Sequence, residues 1–296
     1  MTNLDRNQIS GILFTLASAF TYGSVTTQAK IFYEGGGNAM TLVFWRYLVA
    51  TVVVACILKL TQKSVKPIKK VRLQVIILSV VFSGTMVLYL KSVESISVSL
   101  AVLLLFLFPI IVMLICLITG RMRVSIINIG AFFLAFIGIA LLLGGNDLKG
   151  EHTGIMLACL AACGAAYTFV KGGDIAPVIH PLVLAFWINL TGLFLVLFLV
   201  IGQFSMPSAL LSLLCLLGAT LSYIIAILTH FAALARLSAP RVAFIFNFEP
   251  VVSLVLAAVV LSESLASIQW VGVVLILILL PLFNFLYKPT DKQTSI

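Results

Sequence analysis

Apolar residues come in long blocks along this chain, and polar residues gather in the short gaps between them. The blocks fall at about 8–29, 40–58 (broken by Arg46), 73–91, 97–119, 124–145, 153–170, 181–202, 209–234, 242–262 and 266–287. A helix needs roughly 20 apolar residues to cross the hydrocarbon of a bilayer, and each block is near that length. The stretch from Ile175 to Ala235 holds 61 residues without one Asp, Glu, Lys or Arg. It must therefore contain two crossings, divided near Gly202 and Pro207 in "GQFSMPSA". The pattern predicts an all-α integral membrane protein with ten transmembrane helices.

The blocks also repeat. "SGILFTLASAFTYG" is echoed by "TGIMLACLAACGAAY", and "LVFWRYLVA" by "LAFWINLTG", with Trp45 and Trp187 142 apart. "SISVSLAVLLLFLFPIIVML" aligns with "RLSAPRVAFIFNFEPVVSLV", placing Pro109 and Pro250 141 apart, and Gly130 and Gly272 are again 142 apart. Five crossings per copy is an odd number, so the second copy enters from the opposite side. The predicted organisation is a first five-helix repeat at 1–148, an inverted second repeat at 149–288 and a short polar tail at 289–296. Inverted repeats of this kind are typical of transporters that expose a central cavity to each side in turn.

Composition sharpens the membrane reading. The chain is 62% hydrophobic and 9% charged, far from the quarter or so of charged residues in an ordinary soluble domain. A net charge of +9 would raise nucleic acid as a partner, but the basic residues sit between apolar blocks with no aromatic-interleaved basic face, so no nucleic acid is expected. With both termini on one side, 14 of the 18 Lys and Arg lie on that side, three (Lys30, Lys91, Lys149) on the other, and Arg46 within a crossing. The bias places both termini in the cytoplasm. The five cysteines all lie in apolar blocks and read as small hydrophobes; no metal or other cofactor is expected. Ala17-Ser18-Ala19 mimics a signal-peptidase site, but the apolar run continues past it, so the first helix is expected to be retained.

Ten crossings, "FWRYL" in helix 2, the paired Pro109 and Pro250 runs, "LSES" after helix 9 and "QWVGVVLIL" in helix 10 resemble the EamA family of the drug/metabolite transporter superfamily. The likeness extends over nearly the whole chain. It implies helices 1–4 and 6–9 around a central cavity, peripheral helices 5 and 10, and movement of small metabolites such as amino acids by alternating access, commonly as an exporter. One departure is clear. The turn after helix 9 keeps an acid, Leu261-Ser262-Glu263, whereas the turn after helix 4 reads Thr119-Gly120-Arg121.

The candidate chemistry is ionisable or polar at membrane depth. An acid at the centre of a crossing costs about 2.5–3.5 kcal/mol on insertion scales unless it meets water or a donor. Glu249, directly before Pro250, is therefore either a site for a substrate ammonium or coupling proton, or a partner of a neighbouring backbone group. Arg46 can hold a carboxylate in two parallel hydrogen bonds, or else pair with a loop acid such as Glu34. Tyr22, Tyr89, Tyr167, Trp187 and Tyr223 are cavity candidates, because a buried Tyr hydroxyl seeks a partner. Asn189 and Asn247 serve either a substrate or helix–helix hydrogen bonds. Pro109 and Pro250 are expected hinges. A lone His230 near the end of helix 8 reads as satisfied structure.

The chain has no phosphate-binding loop, zinc-protease helix or nucleophile elbow, and no enzyme is expected. The leading expectation is a secondary transporter acting as a monomer or weak dimer in the lipid bilayer on a small-molecule substrate, by facilitated flow or proton coupling. The alternatives are a membrane-embedded enzyme, which would need an acid or His cluster that is not visible, and an assembly scaffold.

Overall fold

The structure, a computed structural model, describes residues 3–123, 125–144 and 151–287. The described residues form α1 (Asn3–Glu34), α2 (Ala39–Leu60), α3 (Arg72–Val93), α4 (Val98–Leu105), α5 (Phe108–Ile118), α6 (Ile126–Leu142), α7 (His152–Ile175), α8 (Pro181–Val200), α9 (Leu210–Leu234), α10 (Ala239–Ile245), α11 (Phe248–Val260) and α12 (Ser267–Leu286), with no strand among them. Joining α4 to α5 and α10 to α11, nine of the described segments are long and apolar enough to cross a bilayer. The tenth expected crossing, α6, is apolar but only 17 residues long. The repeat boundary expected at 148/149, the tail at 289–296, and Lys149, Lys288 and Lys292 lie outside the described residues.

Two blocks read as single helices are each split in two. Proline explains both breaks, since it lacks the N–H that continues the ladder and crowds the carbonyl four residues back. Near Pro250 the Phe246 carbonyl is taken by the Glu249 N–H at 3.0 Å. Near Pro109 the chain tightens in the same way, the Leu107 N–H donating to Leu104 at 3.1 Å. The α-helical ladder restarts at Phe248, two residues before Pro250, and at Phe108, one residue before Pro109. Glu249 thus sits in the first turn of a half-helix rather than midway along a continuous one.

Interhelix contacts fix the directions. The start of α1 lies beside the end of α9 and the start of α10: a Cβ on Gly11 would touch Leu237, and Gln8 meets Arg241. The end of α1 lies beside the start of α9, the Ser212 hydroxyl donating to the Ile31 carbonyl at 3.4 Å. The start of α7 lies at the end of α3, the Glu151 N–H donating to the Ser95 carbonyl at 3.4 Å. We call the end that carries Arg121, Lys171, Arg236 and Arg241 the basic face, and the other the far face. The first repeat begins at the basic face and the second at the far face.

Eight of these elements form two groups. One contains α1, α9, α10 and α11; the other contains α3, α4, α5 and α7; within each, the helices pack along their lengths. The pair α2 and α8 bridges them, and α6 packs on α12 outside. The α6–α12 contact is a close one: a Cβ on Gly272 would lie 2.6 Å from the Gly138 carbonyl oxygen and from the Leu142 nitrogen.

The turns that differ in charge between the repeats now have a common purpose. Each ends its helix on a residue in the left-handed region, Gly120 (φ 67°) and Ser262 (φ 55°). The next residue then reaches the first helix of the other repeat. Arg121 bonds Asp174 of α7 at 2.7 and 3.3 Å, and Glu263 bonds Lys30 of α1. The staple is kept and its polarity reversed.

The extensive contacts between the two groups lie in the basic-face half. There α10 packs on α5 and α7, and α7 on α9. On the far-face half, α4 and α11 make no comparable contact, and the α3 stretch Gly84–Leu90 and the α11 stretch Ser253–Ala258 are only half-buried. The groups therefore meet at the basic face and part toward the far face.

Candidate functional site

The gap between the groups, here called the vestibule, is bordered by the partly buried Tyr22 and Tyr89, with Tyr47 and Tyr223 packed fully buried behind them. Tyr22 of α1 meets Tyr223 of α9 edge-on at 6.1 Å and Phe246, at the α10–α11 break, at 5.8 Å. Tyr47 of α2 meets Tyr223 at 6.0 Å, its ring lying against the bare backbone of Gly192 on α8. A polar stripe follows α1 toward the far face: Ser24 contacts Ser222 at 3.2 Å, and the Gln28 amide donates to Ser222 at 3.2 Å and to the Ser24 carbonyl at 3.1 Å.

Arg46 lies in this wall and is 7% exposed. Its guanidinium carbon is 4.3 Å from the Tyr223 ring centroid and 5.5 Å from that of Tyr47. Cation–π contacts of this kind contribute about 2 kcal/mol when desolvated, which helps hold the long side chain in place. Among the described residues no carboxylate pairs with it, Glu34 included, and its Nε is fully buried without an acceptor. Removing a cation from water without a partner is costly, so the arrangement is primed for an anion.

Glu249 supplies the opposite charge. Its carboxylate makes no hydrogen bond to a described residue and is not among the sealed polar groups. The backbone around it is tightly held, since a Cβ on Gly23 would lie 2.7 Å from the Glu249 carbonyl oxygen and Ser253 donates to the Gly23 carbonyl at 3.1 Å. Tyr22 lies within electrostatic range of both Arg46 and Glu249. Tyr89 of α3 lies within range of Glu249 and of Tyr33, and Tyr33 within range of Arg46.

The residues singled out from the sequence divide accordingly. Tyr22, Arg46, Tyr89, Tyr223 and Glu249 come together around one space. Asn247 stands at the α10–α11 break but spends its amide on the Phe244 carbonyl at 2.8 Å. Asn189 is fully buried on α8; its amide donates to Ala185 at 2.7 Å and its Oδ1 has no partner. Trp187 is elsewhere, its indole donating to the Val65 carbonyl in the loop at the basic face at 3.0 Å. Tyr167 is half-buried on α7 and makes no hydrogen bond or ring contact with this group. Pro109 and Pro250 lie at the two helix breaks. Tyr47, Tyr33, Ser24, Gln28 and Ser222 were not anticipated. The i, i+4 spacing of Ser24 and Gln28 marks one polar helix face and was the available signal for two of them. Among the described residues no group of three or more His, Cys, Asp or Glu could hold a metal ion.

A model of the EamA-like transporter family matches residues 9–144 and again 152–284, one copy for each repeat. The chain belongs to the EamA-like transporter family. EamA-like proteins are membrane transporters rather than enzymes, and this chain shares their doubled organisation. No match was found among curated proteins. A solved crystal structure described only as that of a protein superposes with a TM-score of 0.81 at 15% identity, covering 98% of this chain and 100% of its own. At that identity the likeness concerns the fold alone.

Proposed function

We propose that this EamA-like chain is a secondary transporter that exports small zwitterionic metabolites such as amino acids across the cell (inner) membrane by alternating access. The supporting observation is the pair Arg46 and Glu249: opposite charges on different elements, each without a protein counter-ion, beside the same tyrosine-walled vestibule. A molecule carrying a carboxylate and an ammonium satisfies both, the first by two parallel hydrogen bonds from the guanidinium. The tyrosine rings offer apolar faces to whatever lies between. The basic face is the cytoplasmic one by the distribution of Lys and Arg, so the open vestibule faces outward. Release of an exported solute to the outside takes place from this state, and loading requires the basic face to open. The two helix breaks at Pro109 and Pro250 are the hinges of that exchange. Glu249 is also the candidate for proton coupling, since a carboxylate that alternately holds a proton and an ammonium links the two fluxes.

The test is counterflow into proteoliposomes with a panel of amino acids, their amides and their decarboxylated amines. Saturable exchange of amino acids is expected, with amides and amines competing at least about tenfold more weakly, as loss of a charge-assisted bidentate contact implies. Arg46→Met should abolish the preference for a free carboxylate and Glu249→Gln the preference for an ammonium. Equal competition by all three classes, or a preference untouched by both variants, overturns the zwitterion reading. Unaltered pH dependence in Glu249→Gln removes the proton-coupling role.

A further inference from the structure

The seal at the basic face contains one ionisable group that the transport reading leaves unused. His230, near the end of α9, is 3% exposed, and neither ring nitrogen has a hydrogen-bond partner. It is boxed edge-on by Phe169 of α7 at 4.7 Å, Phe231 at 5.0 Å and Phe246 at 5.4 Å, and Phe108 of α5 stacks behind Phe169 at 4.7 Å. The contacts His230–Phe169, Phe246–Phe169 (5.3 Å) and Phe246–Phe108 (6.4 Å) all join one helix group to the other. They form the plug itself.

The repeat relates this plug to the open end. An offset of 141 pairs Ser97 with Ser238, the residues that begin α4 and α10, and Pro109 with Pro250. The same offset pairs Tyr89 with His230 and Glu249 with Phe108. Tyr89 and Glu249 lie on the far-face side of the break, partly buried and within electrostatic range of one another. Their counterparts lie in the closed seal. If the two repeats exchange conformations, α7 with its Phe169 parts from α9 and α10, and His230 acquires the only partly buried setting that Tyr89 has in the present state.

From this geometry we propose that His230 is a proton-operated latch: sealed and neutral when the far face is open, hydrated when the basic face is open, so that protons from the basic-face solution hold that face open. The inference rests on the alternating-access reading but not on the identity of the substrate. The direction follows from the surroundings. An imidazolium in the plug would be a buried charge with no counter-ion. The side chains facing it from α7, α9 and the α10–α11 break are phenylalanines, and of the charged groups on or next to these elements, Lys171, Asp174, Arg236, Arg241 and Glu249, none hydrogen-bonds to the ring. In water the ring titrates near its ordinary value of about 6.5. Protonation therefore favours the state in which the ring meets water. The bias is present below about pH 6.5 and disappears above about pH 7.5.

The native Cys116 of α5 is a reporter. It is 1% exposed and lies near Tyr287, whose hydroxyl contacts Ser238 at the start of α10 at 3.0 Å. In full-length protein with Cys56, Cys159, Cys163 and Cys215 replaced by Ala, reconstituted in nanodiscs without substrate, its alkylation by N-ethylmaleimide reads the opening of the basic face. The rate is compared at each pH with that of His230→Gln, which keeps size and polarity but does not titrate, and of His230→Phe. Taking the ratio to a variant cancels the ionisation of the thiol. The ratio should rise at least about threefold between pH 7.5 and 5.5, a modest population shift. A ratio flat with pH, with Cys116 labelling measurable in all three proteins, overturns the latch and leaves alternating access standing. No labelling in any of them at any pH means that the basic face does not open, and overturns both.

Discussion

Gly192 offers a way to disturb Arg46 without touching it. A Cβ at this position on α8 would lie 2.6 Å from two ring carbons of Tyr47 and 2.8 Å from a third. Carbon atoms in ordinary contact stand about 3.5–4.0 Å apart, so Gly192→Ala requires the ring to retreat by about 1 Å. Tyr47 has nowhere to go. It is fully buried, with Tyr223 at 6.0 Å on one side and the Arg46 guanidinium at 5.5 Å from its centroid. Overpacking of this kind costs about 1–3 kcal/mol. Whatever movement relieves it passes to Tyr223, whose ring lies 4.3 Å from the Arg46 charge. The variant should thus lose thermal stability in detergent and also weaken competition by carboxylate-bearing solutes in counterflow. A double-mutant cycle isolates the cause. Tyr47→Leu removes the clashing ring edge, so the glycine substitution should be nearly free in that background, with a coupling of about 1–3 kcal/mol. Strict additivity of the two substitutions, with carboxylate competition unchanged in Gly192→Ala alone, would refute the contact chain from α8 to Arg46.

Other outcomes follow from the scaffold around the site. Arg121→Asp and Asp174→Arg should each lower the apparent melting temperature slightly and together restore it, because the staple needs opposite charges and not a particular order; at 36% side-chain exposure for both partners its worth is at most about 1 kcal/mol. His180 begins α8 by accepting the Leu182 N–H at 3.2 Å, and partial burial together with the nearby Lys63 charge lowers its pKa below the ordinary imidazole range. The unfolded chain then binds the proton more readily, so this cap stabilises fully above about pH 6.5 and is lost as pH falls through the lowered folded value. Melting curves of His180→Asn should be less sensitive to acid than those of the parent over that window. Gly272→Ala should loosen or displace α12, since the new Cβ meets backbone atoms of α6 at 2.6 Å that cannot rotate away; a loss of about 1–3 kcal/mol is expected as a lower melting temperature and a broader gel-filtration peak.

Much of the fold was legible because a bilayer penalises exposed backbone and charge so heavily that apolar length alone marks the crossings. Family membership was legible for the same reason doubled: Trp45 with Trp187 and Pro109 with Pro250 keep their spacing in both halves. The breaks were only partly readable. Pro250 announced an interruption, but that the ladder restarts with Glu249 in the first turn of a new half-helix depends on the Phe246 carbonyl finding the Glu249 N–H. The charge of the turn after helix 4 looked like a departure until Asp174 was seen to meet it. A staple is a property of two segments 53 residues apart, and local pattern holds no record of it.

The site was legible by residue type and less so by place. Arg46 and Glu249 stood out because ionisable groups are rare at membrane depth, and both flank the vestibule. Trp187 satisfied the same criterion of an aromatic with a polar handle, yet its indole serves a loop carbonyl at the basic face, because hydrogen-bond demand does not say where the acceptor lies. His230 shows the converse. A lone histidine in an apolar helix is ordinarily satisfied, and here both nitrogens are orphaned. Under the proposed alternating access such a cost is tolerable, because the state that bears it is only one of two. Seals at the two ends compete for the same helices, and an inverted repeat makes them nearly equivalent in backbone terms. Side chains must then break the tie. Phenylalanine at position 108 against glutamate at 249, and histidine at 230 against tyrosine at 89, make the basic-face seal dry and aromatic and the far-face opening polar. Under the proposed exchange, this asymmetry favours closure at the basic face.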